Sequence, residues 1–131
     1  MRHWRILDMH GKTSATAGGI CFSWTTNGGN GAWTSWPPHE HEKDLEEVYC
    51  YFDMDDRHFG LHLSYVEPGD THGVVAHTVK SGTMILAPRG YHPTVAAPGT
   101  RNTYLWVLAA HSHKSRRYDL AVLDPKRAEM N

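Results

Sequence analysis

Apolar and polar positions alternate along this chain in short runs, and Gly, Pro, Asp and Asn interrupt those runs before any helical period can build up. The runs predict strands over 19–25, 33–36, 47–53, 59–66, 73–80, 83–87 and 103–110. Turn signals lie between them: Asn27-Gly28-Gly29, Asp55-Asp56, Glu67-Pro68-Gly69-Asp70, Ser81-Gly82, Pro88-Arg89-Gly90 and Pro98-Gly99. Many strands at short spacing predict an all-β sandwich or barrel. The segment 4–9 and the tail after Asp119 fit no clear period, although Pro125-Lys126-Arg127-Ala128-Glu129 suits a short helical turn. Apart from Gly28-Gly29-Asn30-Gly31 there is no linker-like or repetitive tract. The expectation is one domain over 1–131, its core about 18–112, with a short N-terminal strand and a C-terminal tail.

Composition narrows the class. The chain has 131 residues, 40% hydrophobic and 21% charged, which suits a packed globular domain rather than a disordered one. A net charge of −1 gives no field that would draw nucleic acid or an anionic membrane, so neither is expected as a partner. No apolar run approaches the roughly 20 residues that span a bilayer. The basic start, Met1-Arg2-His3-Trp4-Arg5, has no apolar stretch behind it and does not read as a signal peptide. Cys21 and Cys50 both fall in predicted strands and read as buried thiols. A cytoplasmic location is expected.

Eleven histidines are the departure from an ordinary composition. His39 and His41 are two apart, so on a strand both imidazoles face the same way and can meet one cation. Pro37-Pro38 ahead of them removes two ladder donors and predicts a strand edge or start. Glu47 opens the next strand and can add a carboxylate, whereas Glu46 would face away if the strand has already begun. Further on, Gly82 and Pro88-Arg89-Gly90-Tyr91-His92 place His92 at the start of an opposing strand. Three imidazoles and a carboxylate leave open coordination positions, as catalytic sites do. The second such pair, His111-Ser112-His113, lies among Lys114, Arg116 and Arg117 with no acid behind it, and reads as a solvated loop.

These spacings resemble those of cupins, whose two motifs are similar to Gly31…His39-x-His41…Glu47 and Gly82-x5-Pro88-x-Gly90-x-His92. Counting residues from His41 favours Glu46 as the acid. A closer resemblance runs through 33–41, 45–52, Pro88-Arg89-Gly90-Tyr91-His92-Pro93 and Tyr104-Leu105-Trp106-Val107. These segments look like the C-terminal half of the sugar-acid isomerase family of 5-deoxy-glucuronate and 5-keto-4-deoxyuronate isomerases. The family's Glu-x-Tyr-x-Tyr segment implies Glu47 as the acid. The resemblance implies an all-β cupin fold, a double-stranded β-helix or jelly-roll barrel. Members of that family usually have two such halves, and 131 residues have room for one. Either a homodimer, the default expectation, replaces the second, or the chain is a shortened relative whose substrate has changed.

The resemblance implies a metal-dependent aldose–ketose isomerase acting on a deoxy-uronate or similar sugar acid. One divalent metal on His39, His41, Glu47 and His92 would polarise the carbonyl and stabilise an ene-diolate. Zinc suits this ligand set, and manganese, iron or nickel also fit. Candidates for the proton-moving group are His62, Glu46, Tyr91 and His77. His62 comes first because it falls opposite Leu61 and Leu63 and matches a histidine of the pectin-pathway relative. Its plain alternative is an outward polar residue. Arg89 could hold a substrate carboxylate, or be a turn arginine in solvent. Tyr49 and Tyr104, and also His77, could line the substrate site, although strand aromatics are core residues by default. Two other functions suit the same residues: an iron-dependent dioxygenase or other oxidoreductase, and a non-catalytic sugar-binding cupin.

Overall fold

In the computed structural model, residues 6–7, 20–28, 33–115, 117 and 119–129 are described. The chain is nearly all β. Its strands are β1 (Ile6–Leu7), β2 (Ile20–Gly28), β3 (Trp33–Thr34), β4 (His39–Glu40), β5 (Leu45–Tyr51), β6 (Gly60–Ser64), β7 (Val75–Val79), β8 (Met84–Ala87), β9 (Thr94–Ala96), β10 (Arg101–Ala110) and β11 (Val122–Leu123). A 3-10 turn at His113–Ser115 and the four-residue helix α1 (Pro125–Ala128) complete the described elements. None of the described helices is long and apolar enough to cross a membrane.

Two antiparallel sheets face each other. The larger has the order β1-β2-β10-β5-β8 and the smaller β3-β9-β6-β7, while among the described residues β4 pairs only with β11. β1–β2 and β6–β7 are hydrogen-bonded within one sheet, whereas β5 to β6 and each step from β7 to β10 cross from one sheet to the other, so that the inner faces enclose a shared interior. Within the larger sheet the register sets Tyr104 beside Tyr51, Trp106 beside Tyr49, Leu108 beside Glu47 and Ala110 beside Leu45. These residues share the inner face, and Leu45, Tyr49, Tyr51, Tyr104, Trp106, Leu108 and Ala110 form the core with Met54 and Val79.

The strand predictions hold in type and shift at their ends for local reasons. The strand expected over 33–36 stops at Thr34, where Ser35 takes a positive φ of 53°. The one expected over 47–53 starts two residues earlier and ends at Tyr51, before Asp53 turns the chain at φ 50°. Its early start follows from the turn after His41, whose carbonyl accepts from the amides of Asp44 and Leu45. The opposing strand expected at His92 is β9, which begins two residues later at Thr94; β11 is the one without a sequence signal, since its two residues are too few to show a period. The expected helical turn is α1, with Asp124 as its N-cap and Pro125 at its first position.

Candidate metal centre

Residues 38–41 run along the rim of the barrel. His39 begins β4, His41 follows it, and a tight turn brings the chain back into β5. Along β5 the burial alternates strictly: Leu45, Glu47, Tyr49 and Tyr51 face in, and Glu46, Val48 and Cys50 face out. Glu47 therefore enters the interior below the two histidines. His92 arrives from the opposing sheet after Pro88-Arg89-Gly90. Gly90 has φ +77°, and a Cβ there would sit 2.6 Å from the Tyr65 carbonyl oxygen, so only glycine lets the chain press against β6 and deliver His92.

The four side chains converge. One ligand atom from each of His39, His41, Glu47 and His92 lies within 4.8 Å of all the others. Glu47 Oε2 is 2.9 Å from His92 Nε2 and 3.2 Å from His41 Nε2. Glu47 Oε2 and His92 Nε2 are buried and lack a hydrogen-bond partner, as does His41 Nδ1. Two atoms that share an ion at about 2.0–2.2 Å, roughly at right angles or tetrahedrally disposed, lie about 3 Å apart. These short separations between unpartnered acceptors are what a divalent cation would resolve.

Tautomers support the same fit. His92 Nδ1–H donates to the Gly90 carbonyl at 2.9 Å and His39 Nδ1–H to the Pro37 carbonyl at 3.3 Å. A carbonyl can only accept, so both rings present the Nε2 lone pair, as metal-bound histidines do. Burial, with His92 and His41 close by, lowers the His39 pKa to about 4 and keeps that ring neutral. Burial alone would raise Glu47, but the contacts of His41 and His92 hold it well below the usual carboxylate range. Burial likewise opposes charge on His92, yet the touching Glu47 carboxylate raises its pKa overall.

A cleft of about 340 Å³ opens over the centre. Its lining includes the hydroxyl-bearing Thr34, Ser35, Tyr49 and Tyr104 and the apolar Trp36, Trp106, Leu108, Ala121 and Leu123. The hydroxyls are paired: Tyr49 with Ser35 at 2.9 Å, and Tyr104 with Thr34 at 2.7 Å. Burial, with the Glu47 charge nearby, pushes the Tyr49 pKa well up, so it stays a protonated donor. No Lys or Arg lines the cleft among the described residues.

His62 is fully buried, on the inner face of β6, and the plain alternative of an outward polar residue is thereby corrected. Its ring lies parallel to that of His92 with centroids 6.3 Å apart, and edge-on to Tyr49 at 4.7 Å. Thr94 Oγ1–H donates to the Leu61 carbonyl, so Thr94 must accept from Tyr51 O–H, and Tyr51 in turn from His62 Nδ1–H. That chain fixes the tautomer of His62 and leaves its Nε2 lone pair buried and unpartnered. Burial, followed by the proximity of His92, lowers its pKa to about 3.

Four other candidates lie elsewhere. Glu46 is on the outer face of β5, its side chain 66% exposed and 3.8 Å from His111. The alternation of β5 sends it away from the site, so it serves as neither base nor ligand. Tyr91 precedes His92 and faces the other way, stacked on Tyr65 with centroids 5.1 Å apart. Arg89 is exposed in the turn after β8 and is not part of the cleft wall. His77 pairs with His62 across β6 and β7 but is exposed on the sheet edge and does not line the cleft. What sequence reasoning missed is the tail: Ala121 and Leu123 form part of the cleft wall, and a two-residue strand carries too little pattern to announce itself.

The pattern of the KduI/IolB family matches residues 6–126. A 5-deoxy-glucuronate isomerase of Geobacillus kaustophilus is 38% identical over 86 residues, which cover 60% of this chain and 30% of the relative. The match thus spans about a third of the curated relative's length. Among solved structures, an IolB-like protein of Salmonella typhimurium superposes with a TM-score of 0.65 at 24% identity, covering 92% of this chain and 45% of that one. A cupin-like protein of Thermotoga maritima gives 0.56 at 14% identity, covering 92% and 74%. These likenesses bear out the all-β cupin fold.

Proposed function

We propose, from the premise that the chain belongs to the KduI/IolB family, that it is a metal-dependent aldose–ketose isomerase acting on a deoxy-uronate or similar sugar acid. The observation that carries the reading is the convergence of His39, His41, Glu47 and His92 within 4.8 Å at the base of an open cleft. The relatives' isomerase activity supports the reaction class. A divalent metal held by these four residues, zinc first and manganese, iron or nickel by the same ligand chemistry, would supply carbonyl polarisation and charge stabilisation.

The chain's own residues supply the rest. Tyr49, kept protonated by burial, offers a hydroxyl to a substrate oxygen, and Tyr104 and Ser35 add further hydroxyls to the lining. Trp36, Leu108 and Leu123 add apolar surface to the lining and suit the deoxy carbon of such a substrate. A substrate carboxylate would meet hydroxyls rather than a guanidinium, because Arg89 lies outside the cleft. His62 is the proposed proton carrier. It is an imidazole outside the ligand set with a buried, unpartnered Nε2, in ring contact with Tyr49 and His92 behind the cleft lining. Its low proton affinity means that negative charge developing on the substrate must raise that affinity for it to accept the proton. The outer face of the larger sheet, with Met84 and Leu86 62% and 69% exposed on the edge strand β8, supports a homodimer as the assembly.

The test is turnover of 5-deoxy-glucuronate by purified chain, with metal content measured alongside. Activity should vanish with chelator and return with a divalent metal. His62→Gln should lose about 10²–10⁴-fold in kcat while keeping its metal. A metal-replete chain that turns over no deoxy-uronate would sink the reading, and oxygen uptake by the iron-loaded chain would replace it with an oxidoreductase.

A further inference from the structure

The strand that carries His39 has an unusual support. Among the described residues β4 has no partner in either main sheet; its one strand partner is β11, with Leu123 opposite His39 and Val122 opposite Glu40. The next amide continues the contact, as Asp124 N–H donates to the Pro38 carbonyl at 2.8 Å. On the far side of the histidine pair, the chain after β10 grips the turn that leads into β5. There His111 N–H donates to the Asp44 carbonyl at 2.9 Å, and Ser115 Oγ–H to the Asp44 carboxylate at 2.9 Å. Residues 38–44 are therefore held at both ends by the C-terminal segment, and His39 and His41 lie between the two grips.

What holds the segment itself is a single buried carboxylate. Asp124 is 0% exposed and sits where a charge needs full satisfaction. Its Oδ2 accepts from Tyr65 O–H at 2.7 Å, Gly69 N–H at 2.9 Å and Arg127 Nη1 at 3.1 Å, and its Oδ1 accepts from Lys126 N–H at 2.9 Å. Arg127 also donates to the Asp70 carbonyl at 2.8 Å and lies over the Tyr65 ring at 4.6 Å. Those partners belong to the end of β6 and the loop after it, so the tail is fastened to the smaller sheet. A helix N-cap needs one acceptor bond, and this residue accepts four.

We propose that the segment 121–128, fastened by Asp124, is a positioning element of the metal centre: it sets metal affinity by holding His39 and His41 against Glu47 and His92. The inference rests on the reading that these four residues bind a metal. It makes Asp124 a positioning residue, since it touches neither ligand atoms nor cleft. A ligand pair of which one member lies on a two-residue strand and the other just past its end would, without a fixed partner, sample positions in which the imidazoles no longer meet, and affinity falls by the fraction of time they spend apart.

The experiment compares full-length chains carrying Asp124→Ala, Asp124→Asn and Val79→Ala with the unaltered chain. Val79 is fully buried in β7 opposite Gly60, at the end of the β6–β7 pair remote from Tyr65, and its truncation is a control for general loss of stability. Zinc affinity is read by competition with a chromophoric chelator, below each variant's unfolding temperature. Cobalt loading reads the coordination geometry through its visible absorption. Asp124→Ala should bind zinc about 10–100-fold more weakly, with an altered cobalt spectrum. Val79→Ala should melt earlier yet bind as the unaltered chain does. Asp124→Asn, which keeps the size and two lone pairs, should fall between and serves if the alanine variant does not fold. Unchanged zinc affinity in a folded Asp124 variant overturns the proposal, as does an equal loss in Val79→Ala. An unaltered chain that binds no zinc overturns the four-ligand reading itself, a different and distinguishable result.

Discussion

The two faces of β5 differ in a way that inverts the usual rule. The inner face carries Glu47, Tyr49 and Tyr51 after Leu45, and the outer face carries Val48 and Cys50 after Glu46. The same holds across the sheet pair, where His62 and Thr94 face in while Leu61, Leu63 and Val95 are half-exposed. Hydropathy alone would turn several of these strands over. Alternation would not, because it identifies which residues share a face and leaves open which face is inside. The inside here is a binding cavity, and the cost of burying polar groups is met by pairing: Tyr49 with Ser35, Tyr104 with Thr34, Tyr51 with Thr94 and His62. Among the described residues, the buried side-chain atoms left without hydrogen-bond partners belong to His41, Glu47 and His92 of the centre, to His62, and to His58 and Asn102.

The sharpest way to break the contrast is Glu47→Gln. Removing the only carboxylate of the centre should weaken zinc binding by more than about 100-fold and abolish turnover, checked by elemental analysis and assay. Next in size is acid sensitivity. His62 has its pKa lowered from 6.5 to about 3, so below pH 6.5 the unfolded chain takes a proton that the folded one refuses. Glu47 is held below the usual carboxylate range, so its stabilisation is present above about pH 4.5 and lost on further acidification. Both effects have the same sign: metal-free protein should lose a few kcal/mol of stability as pH falls from 6.5 towards 4, measured by urea unfolding.

Smaller still is Tyr49→Phe, which removes one inner hydroxyl and strands Ser35. It should leave metal content unchanged, cost about 1 kcal/mol in stability and lower kcat several-fold. The smallest effects belong outside. Glu46→Gln and Arg89→Ala should stay within about 0.5 kcal/mol of the unaltered chain in stability, with kcat/KM unmoved. A large effect of either on turnover would show that the outer face reaches the reaction, and the division between faces would have to be redrawn.

Much of the architecture was legible because its signals are local. Seven strands announced themselves through alternation and turn residues, and His39-x-His41 presents two imidazoles to one side by the two-residue period alone. The choice between Glu46 and Glu47 could not be made that way. It depended on where β5 begins, and the hydrogen bonds from Asp44 and Leu45 to His41 decide that. His62 was placed on the correct face in relation to Leu61 and Leu63, but whether that face was wet or buried depended on the opposing sheet. Arg89 and Tyr91 are neighbours of His92 in the chain and lie away from its ring in space, since successive residues at such a turn point apart.

By itself, then, the sequence determined the β character, the turns, and a set of histidines and acids at spacings suited to a metal. Those follow from steric and periodic rules that act over two to five residues. The tertiary structure alone decided that His92 meets Glu47 at 2.9 Å, that the tail lines the cleft, and that Asp124 ties that tail to a loop more than fifty residues earlier in the chain. No local period encodes such contacts, because they arise from two sheets closing on each other and from a two-residue strand finding the one partner left open to it.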